Sequence, residues 1–184
     1  MGKELRILIL EDVPTDAELI ERELQKAGIA FSSRRVETRE DFIKGLDEFV
    51  PDLILADQKL PAFDGLSALE IVKGRRPDVP FIFVTGSMGE EWVVETLKKG
   101  ATDYVIKDKL YRLVPAVQRA LKEVEEQREL KRLEEDLRQR LDEVERMNRL
   151  MVGRELKMEE LRKDMKRLKA RIEEMEGRGG SHVS

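Results

Sequence analysis

Short apolar runs alternate with amphipathic segments over the first two-thirds of the chain. The run Leu53–Ala56 has no polar position on either face, which is typical of a strand buried on both sides of a sheet. Five strands are predicted, at residues 5–10, 29–36, 53–56, 79–84 and 104–106. An amphipathic helix follows each strand after a short connection, which predicts an α/β fold: a five-stranded, doubly wound parallel sheet in the flavodoxin-like order.

The polarity pattern changes beyond Leu121. Residues 123–176 contain no proline and one glycine, Gly153, and their apolar residues recur at alternating steps of three and four. Arg140 and Arg154 occupy two positions of this repeat. The other positions are apolar: Leu130, Leu133, Leu137, Val144, Met147, Met151, Met158, Leu161, Met165, Leu168, Ile172 and Met175. This heptad repeat predicts a coiled coil, and the long helix needs a partner because it cannot bury its apolar stripe alone.

Three parts are therefore predicted: an α/β domain at 1–122, a coiled-coil helix at 123–176 and a disordered tail at 177–184. We expect the coil to form a homodimer. Three pairs at positions flanking the seam, two attractive and one repulsive, slightly favour parallel chains: Asp164 with Lys169, Arg171 with Glu176, and Lys157 with Arg162.

Composition limits the classes of function. Charged residues make up 40% of the 184 residues and aromatic residues 5%, which indicates a long solvated segment beside one domain of ordinary size. The absence of cysteine excludes disulfides, thiolate metal sites and cysteine nucleophiles. The 35 basic and 39 acidic residues nearly balance, so we expect no nucleic-acid partner. No apolar run approaches the ~20 residues of a membrane span and no signal peptide precedes the first strand, so we expect a cytoplasmic protein.

Polar side chains follow four of the predicted strands. Glu11 and Asp12 end the first strand, Asp57 the third, Thr85 the fourth and Lys107 the fifth. The carboxyl ends of parallel strands share one edge of a sheet, and the first and third strands are neighbours in the flavodoxin-like order. We therefore expect the three carboxylates to converge. Crowded carboxylates repel one another unless they share a cation, and an oxygen-only cluster suits Mg²⁺.

These residues resemble the motifs of a two-component response-regulator receiver domain. The resemblance extends to about Lys122, or two-thirds of the chain. It rests on the following residues and pairs: Glu11 with Asp12, Asp57, Leu60 with Pro61, Asp64 with Gly65, Thr85 with Gly86, Gly100 with Ala101, and residues 104–107.

The resemblance implies a role for each carboxylate. Asp57 would be the phosphoacceptor, phosphorylated by a sensor histidine kinase or a phosphotransfer protein. Asp12 and Asp57 would bind Mg²⁺ directly, together with the backbone carbonyl of Lys59, and Glu11 would act mainly through a water molecule. The Lys59 side chain would add positive charge over the site and so alter the rate of dephosphorylation.

Three further residues receive roles from the same resemblance. Thr85 and Lys107 would bind the phosphoryl oxygens, and Thr85 and Tyr104 would form the conformational switch.

Asp108 stands where receiver domains commonly have a proline in a cis peptide bond. A cis bond before any other residue costs about 3 kcal/mol, so we expect a trans bond between Lys107 and Asp108.

The sequence thus supports a response regulator whose phosphorylation changes the coiled coil through the last helix of the α/β domain. We expect no enzymatic activity beyond the chain's own phosphorylation and dephosphorylation. Two alternatives stay open: a constitutive coiled-coil interaction protein, and a phosphorelay intermediate that only passes phosphate on.

Overall fold

Strands and helices alternate along the computed structural model, which describes residues 4–86 and 89–179. The strands are β1 (Leu5–Leu10), β2 (Phe31–Val36), β3 (Leu53–Ala56), β4 (Phe81–Thr85) and β5 (Asp103–Ile106). The helices are α1 (Pro14–Lys26), α2 (Arg39–Lys44), α3 (Gly65–Arg75), α4 (Glu90–Lys98) and α5 (Leu113–Gly179). A π-helical turn, Gly45–Phe49, continues α2, and a 3₁₀ segment, Lys107–Arg112, joins β5 to α5.

All five strands are parallel and form one sheet in the order β2-β1-β3-β4-β5. This is the flavodoxin-like order, so the fold predicted from the sequence is confirmed. The order of the strands reverses between β1 and β3, and open α/β sheets bind their ligands at such a point.

Alternate residues of the central strands serve two separate cores. Ile7 and Ile9 of β1 face one side of the sheet, where they pack against α1 and the first turns of α5. Leu8 and Leu10 face the other side, where they pack against α2 and α3. Because both faces are covered, β1 and β3 carry apolar residues at nearly every position.

Three strand starts differ from the prediction, and one of them, that of β5, lies one residue earlier, at Asp103. β2 begins at Phe31, because the N–H of Ile29 donates to Leu24 O (3.2 Å) and so belongs to the end of α1. Gly28 allows this turn by adopting a positive φ of 71°. β4 begins at Phe81, since the preceding Pro80 has no N–H to offer a neighbouring strand.

Helix α5 is a single helix of 67 residues. Its first turns bury Leu113, Ala116, Val117 and Ala120 in the α/β core, and Pro115 lies in the first turn, where its missing N–H costs no helical hydrogen bond. The chain divides into one compact unit that reaches Glu129 and a second that begins at Leu130.

The second unit consists of the remainder of α5. Its heptad residues lie between 49% and 65% exposed in the single chain. The helix continues to Gly179, into the segment that the sequence assigns to a disordered tail, and residues 180–184 of that predicted tail lie outside the described residues. No helix among the described residues has both the length and the apolarity needed to cross a membrane.

Candidate functional site

The candidate site lies at the carboxyl edge of the sheet, between β1 and β3. Leu10 and Ala56 are partners in the register of these strands, so Glu11 and Asp57 follow them side by side. The N–H of Asp57 donates to Leu10 O at 2.9 Å and fixes this arrangement. Carboxylate oxygens of Glu11, Asp12 and Asp57 all lie within 4.8 Å of one another. The structure thus brings together the three acidic residues that the sequence places at this edge.

Glu11 is the most buried of the three carboxylates. Its side chain is only 1% exposed, and burial raises its pKa, although contacts with Lys107 and the N–H of Val13 act in the opposite direction. Oε1 accepts a hydrogen bond from the N–H of Val13 at 3.2 Å. Oε2 lies 2.7 Å from Lys107 Nζ. The same ammonium also contacts Asp16 and Asp57, so this buried oxygen shares its positive partner with two other carboxylates.

Lys107 supplies the nearest positive charge. Its Nζ atom lies 2.7 Å from an oxygen of each of three residues, Glu11, Asp16 and Asp57. Burial by itself lowers the pKa of Lys107, but hydrogen bonds with Asp16, Asp57 and Glu11 outweigh burial and raise it. Lys107 is therefore firmly charged. The peptide bond between Lys107 and Asp108 is trans, as expected from the sequence.

The two oxygens of Asp57 face different partners. Oδ2 accepts the hydrogen bond from Lys107, and Oδ1 accepts one from the N–H of Gln58 at 2.5 Å. The N–H of Lys59 lies 3.5 Å from Oδ1, and the Lys59 side chain is exposed. Two backbone N–H groups of the loop that follows Asp57 therefore lie close to its Oδ1 atom.

The loop after Asp57 is closed by Gly65. The N–H of Gly65 donates to Gln58 O at 3.0 Å. A Cβ atom at this position would lie 2.7 Å from Phe83 Cε1 and would overlap the carbonyl of Asp57. Only glycine allows α3 to start so close to the phosphoacceptor candidate. Asp64 caps α3, since its carboxylate accepts hydrogen bonds from Ser67 N (2.9 Å) and Ser67 Oγ (2.7 Å).

Thr85 and Tyr104 lie on the neighbouring strands β4 and β5. Thr85 is the last residue of β4, is 3% exposed and pairs in register with Ile106, the residue before Lys107. Tyr104 pairs with Phe83 and packs, partly buried, against the core on the α2–α3 side of the sheet. The structure therefore places Thr85 and Lys107 at adjacent strand ends and places Tyr104 farther back along β5.

Two residues at the site were not predicted from the sequence. Asp16 lies in the first turn of α1 and binds Lys107, and Arg35 donates from Nη1 to the backbone oxygen of Glu11 at 2.9 Å. A signal for Asp16 exists in the sequence, because the short β1–α1 connection keeps the first turn of α1 at the same sheet edge. No comparable signal exists for Arg35, whose side chain reaches the site from the edge strand β2.

The donor set fits a hard divalent cation. Three carboxylates contribute oxygen only, and their span of 4.8 Å is close to the roughly 4.2 Å between opposite ligands of Mg²⁺. Glu11 Oε2 is buried, and the Lys107 ammonium that it contacts is shared with Asp16 and Asp57, so this oxygen can accept a hydrogen bond from a metal-bound water. Lys107 offsets only part of the negative charge. The site can therefore hold a cation and, with it, a negatively charged group.

Comparisons with known proteins identify the family to which the first part of the chain is similar. Residues 7–118 match the family described as "Response regulator receiver domain". The chain is 37% identical over 99 residues to the luminescence regulatory protein LuxO of Vibrio campbellii, covering 54% of this chain and 21% of LuxO. It is 28% identical over 124 residues to the DNA-binding transcriptional regulator NtrC of Escherichia coli, covering 67% of this chain and 26% of NtrC.

Solved structures agree with the sequence comparison. The signal receiver domain of a LuxO repressor protein from Vibrio parahaemolyticus superposes with a TM-score of 0.63 at 26% identity, covering 70% of this chain and 98% of that domain. The chain therefore spans nearly the whole of that receiver domain, but only 21% to 26% of the length of these two curated relatives.

Proposed function

Because this chain belongs to the response regulator receiver domain family, we propose that it accepts a phosphoryl group on Asp57 from a sensor histidine kinase or a phosphotransfer protein. One observation carries this proposal above the others. A single ammonium, that of Lys107, lies 2.7 Å from Asp57 Oδ2 at a sheet edge that also holds Glu11 and Asp12. This arrangement suits a carboxylate that will receive a more highly charged group.

The proposed reaction is a nucleophilic displacement at phosphorus. A carboxylate oxygen of Asp57 forms a bond to phosphorus while the bond from phosphorus to the donor imidazole nitrogen breaks, and the electron pair stays on that nitrogen. Aspartate carboxylates are ionised at neutral pH, so no general base is required. Lys107 and the hydroxyl of Thr85 bind the phosphoryl oxygens and stabilise their negative charge.

Asp12, Asp57 and the backbone carbonyl of Lys59 would hold Mg²⁺, with Glu11 acting through a water molecule. When bound, Mg²⁺ neutralises charge on the transferring phosphoryl group. The exposed Lys59 side chain adds further positive charge close to Asp57 and alters the lifetime of the acyl phosphate.

Phosphorylation is proposed to reach the coiled coil through α5. Lys107 begins the 3₁₀ segment that leads directly into α5, whose first turns pack in the core. Movement of Thr85 toward the phosphoryl group frees space for Tyr104 to turn inward, which alters the face formed by α4 and α5. The coiled coil is proposed to form a homodimer, since its exposed seam is stabilised only when a partner covers it.

The test is phosphorylation with acetyl phosphate in the presence and absence of Mg²⁺, followed by mass spectrometry of the intact protein. We expect a mass gain of one phosphoryl group that requires Mg²⁺ and is absent from Asp57→Asn. Asp47→Asn, which changes an exposed carboxylate that pairs with Arg75, is the control and should be phosphorylated normally. Equal phosphorylation of Asp57→Asn and wild type would refute the proposal.

A further inference from the structure

The charges of the coiled-coil segment are separated into blocks of opposite sign. Residues 134–145 contain six acidic and two basic residues, for a net charge of −4. Residues 160–171 contain six basic and two acidic residues, for a net charge of +4. Both blocks lie within the continuous helix α5, whose heptad side chains are exposed throughout. The orientation of a second copy therefore decides which block meets which.

Parallel and antiparallel dimers bring different blocks face to face. In a parallel dimer each block lies beside its own copy, so −4 faces −4 and +4 faces +4. In an antiparallel dimer that pairs the heptad repeat from end to end, Leu130 of one copy faces Met175 of the other. Residues 134–145 then face residues 160–171, so that each acidic block lies beside a basic block.

The charges at the end of the repeat follow the same rule. Residues 172–176 contain three acidic residues and no basic one. In the end-to-end antiparallel register they face residues 129–133, which contain two basic residues and one acidic residue. In the parallel dimer the three acidic residues would instead face their own copies. Complementarity thus extends over both ends of the coil.

The two arginines in the seam give an independent reason for the same orientation. In a parallel dimer Arg140 faces Arg140 and Arg154 faces Arg154, which places like charges together inside the coil. In the antiparallel register Arg140 faces Met165 of the second copy, and Arg154 faces Met151. Methionine side chains adapt to the aliphatic stem of arginine while its charged end reaches solvent.

The charged end of Arg140 also has a partner on its own helix. Arg140 Nε contacts Asp136 at 2.9 Å. In the antiparallel register Arg140 keeps this contact and no longer faces the like charge that it faces in the parallel dimer.

We propose that the segment from Leu130 to Met175 docks against a second copy of this chain as an antiparallel coiled coil in the end-to-end register. This inference rests on the homodimer of the proposed function and specifies its geometry. It reverses the orientation that three flanking pairs favour, because those are only three exposed pairs, each worth tenths of a kcal/mol, whereas the two charge blocks contain 16 charged residues in each copy. The two receiver domains then join the coil at opposite ends.

Single cysteines test the orientation, because the natural chain contains none and each introduced thiol is unique. Leu137→Cys and Leu168→Cys are purified separately and oxidised under native conditions, alone and as an equal mixture. In the antiparallel register residue 137 of one copy faces residue 168 of the other, whereas the two copies of residue 137 are about 47 Å apart. A disulfide requires Cα atoms within about 7 Å.

We expect a cross-linked dimer in the mixture and none with either variant alone. Leu161→Cys, shifted by one heptad, is the register control and should not cross-link with Leu137→Cys. Cross-linking of each variant with itself would overturn the antiparallel proposal and leave the homodimer intact. A monomeric mass by light scattering would overturn the proposal and the homodimer together. Cross-linking to residue 161 instead of 168 would overturn the register.

A second measurement leaves the seam unchanged. Glu135→Cys allows a spin label to be attached on the outer face of the helix. Double electron–electron resonance then measures the distance from this label to the same label in the other copy. The antiparallel register places these labels more than about 50 Å apart, because residue 135 faces residue 170 of the second copy. A distance of roughly 20 Å, the width of two helices side by side, would overturn the proposal.

Discussion

At the scale of single residues, the site is a problem of charge compensation. Four carboxylates, those of Glu11, Asp12, Asp16 and Asp57, surround one ammonium. Lys107 contacts three of them and cannot fully neutralise the cluster. The cluster can therefore hold a divalent cation, and Lys107 stays charged, as its proposed role in binding the phosphoryl group requires. Asp16 adds to this arrangement by anchoring Lys107 from α1.

Replacing Asp16 with Asn should weaken Mg²⁺ binding. The substitution removes one negative charge and leaves Lys107 to pair more closely with Asp57 and Glu11. Lys107 then competes with the cation for the oxygens of these two residues. We expect the Kd for Mg²⁺ to rise about two- to fivefold, or roughly 0.4–1 kcal/mol. Isothermal titration calorimetry measures this Kd. Glu18→Gln removes an exposed charge from the same helix and should leave it unchanged; equal effects of the two substitutions would exclude a local role for Asp16.

At the scale of elements, the start of α3 shapes the loop that follows Asp57. Gly65 lies against the carbonyl of Asp57 and the ring of Phe83, and Asp64 caps the helix. The stability of α3 and the position of the site are thus linked through two consecutive residues. Both can be tested separately.

Gly65→Ala should disturb the site as well as the fold. The new Cβ would displace the Asp57 loop or the Phe83 ring, so we expect a loss of about 1–3 kcal/mol in the free energy of unfolding and weaker Mg²⁺ binding. Urea denaturation and Mg²⁺ titration measure the two effects. Gly74→Ala in the same helix meets nothing within 4 Å and should instead stabilise the protein by about 0.5–1 kcal/mol. A harmless Gly65→Ala would contradict the close packing described above.

The cap at Asp64 should make stability depend on pH. Hydrogen bonds from the Ser67 side chain and backbone lower the pKa of Asp64 below its ordinary value of 3.8. Its carboxylate therefore contributes stability above pH 3.8, and this contribution is lost as the pH falls through the lower pKa of the folded state. Asp64→Asn keeps a capping oxygen that does not titrate, so wild type should exceed this variant in stability above pH 3.8 and lose that advantage in more acidic solution.

Urea denaturation of both proteins across this pH range measures the difference. Asp64→Ala lacks a cap at every pH and should be less stable than wild type by about 1 kcal/mol at neutral pH. A stability difference between wild type and Asp64→Asn that does not change with pH would exclude the charged cap.

Hydrophobic patterning was sufficient to predict the elements, whereas side chains that cross between elements were not predictable. The strand order followed from the β-α alternation, and the convergence of Glu11, Asp12 and Asp57 followed from that order. The contact between Asp16 and Lys107 joins residues 91 positions apart and depends on rotamers that no local pattern specifies. The start of β2 was mispredicted because Ile29 is apolar like a strand residue but closes α1 through its backbone.

At the scale of the whole molecule, the chain contains two units with different sources of stability. The unit up to Glu129 has cores on both faces of its sheet, whereas the seam of the second unit is exposed in the single chain. The first unit should therefore be stable at any protein concentration. The second should depend on association and hence on concentration.

Two probes should separate these units during unfolding. Trp92, the one tryptophan, packs edge-on against Phe83 with ring centroids 4.8 Å apart, so its fluorescence reports on the receiver unit. Far-UV circular dichroism is dominated by α5. We expect Mg²⁺ to raise the midpoint of the fluorescence transition, and dilution to lower the midpoint of the dichroism transition alone. A single transition that both treatments shift equally would contradict two independent units.

The central claim is that Asp57 carries an acyl phosphate, and borohydride trapping tests it most directly. The protein is phosphorylated with acetyl phosphate and Mg²⁺, reduced with sodium borohydride, and digested for peptide mass spectrometry. Hydride cleaves the acyl phosphate and converts the modified aspartate to homoserine. We expect homoserine at position 57 and at no other aspartate. Homoserine at Asp12 or Asp16 instead, or phosphorylated protein without any homoserine, would exclude Asp57 as the phosphoacceptor.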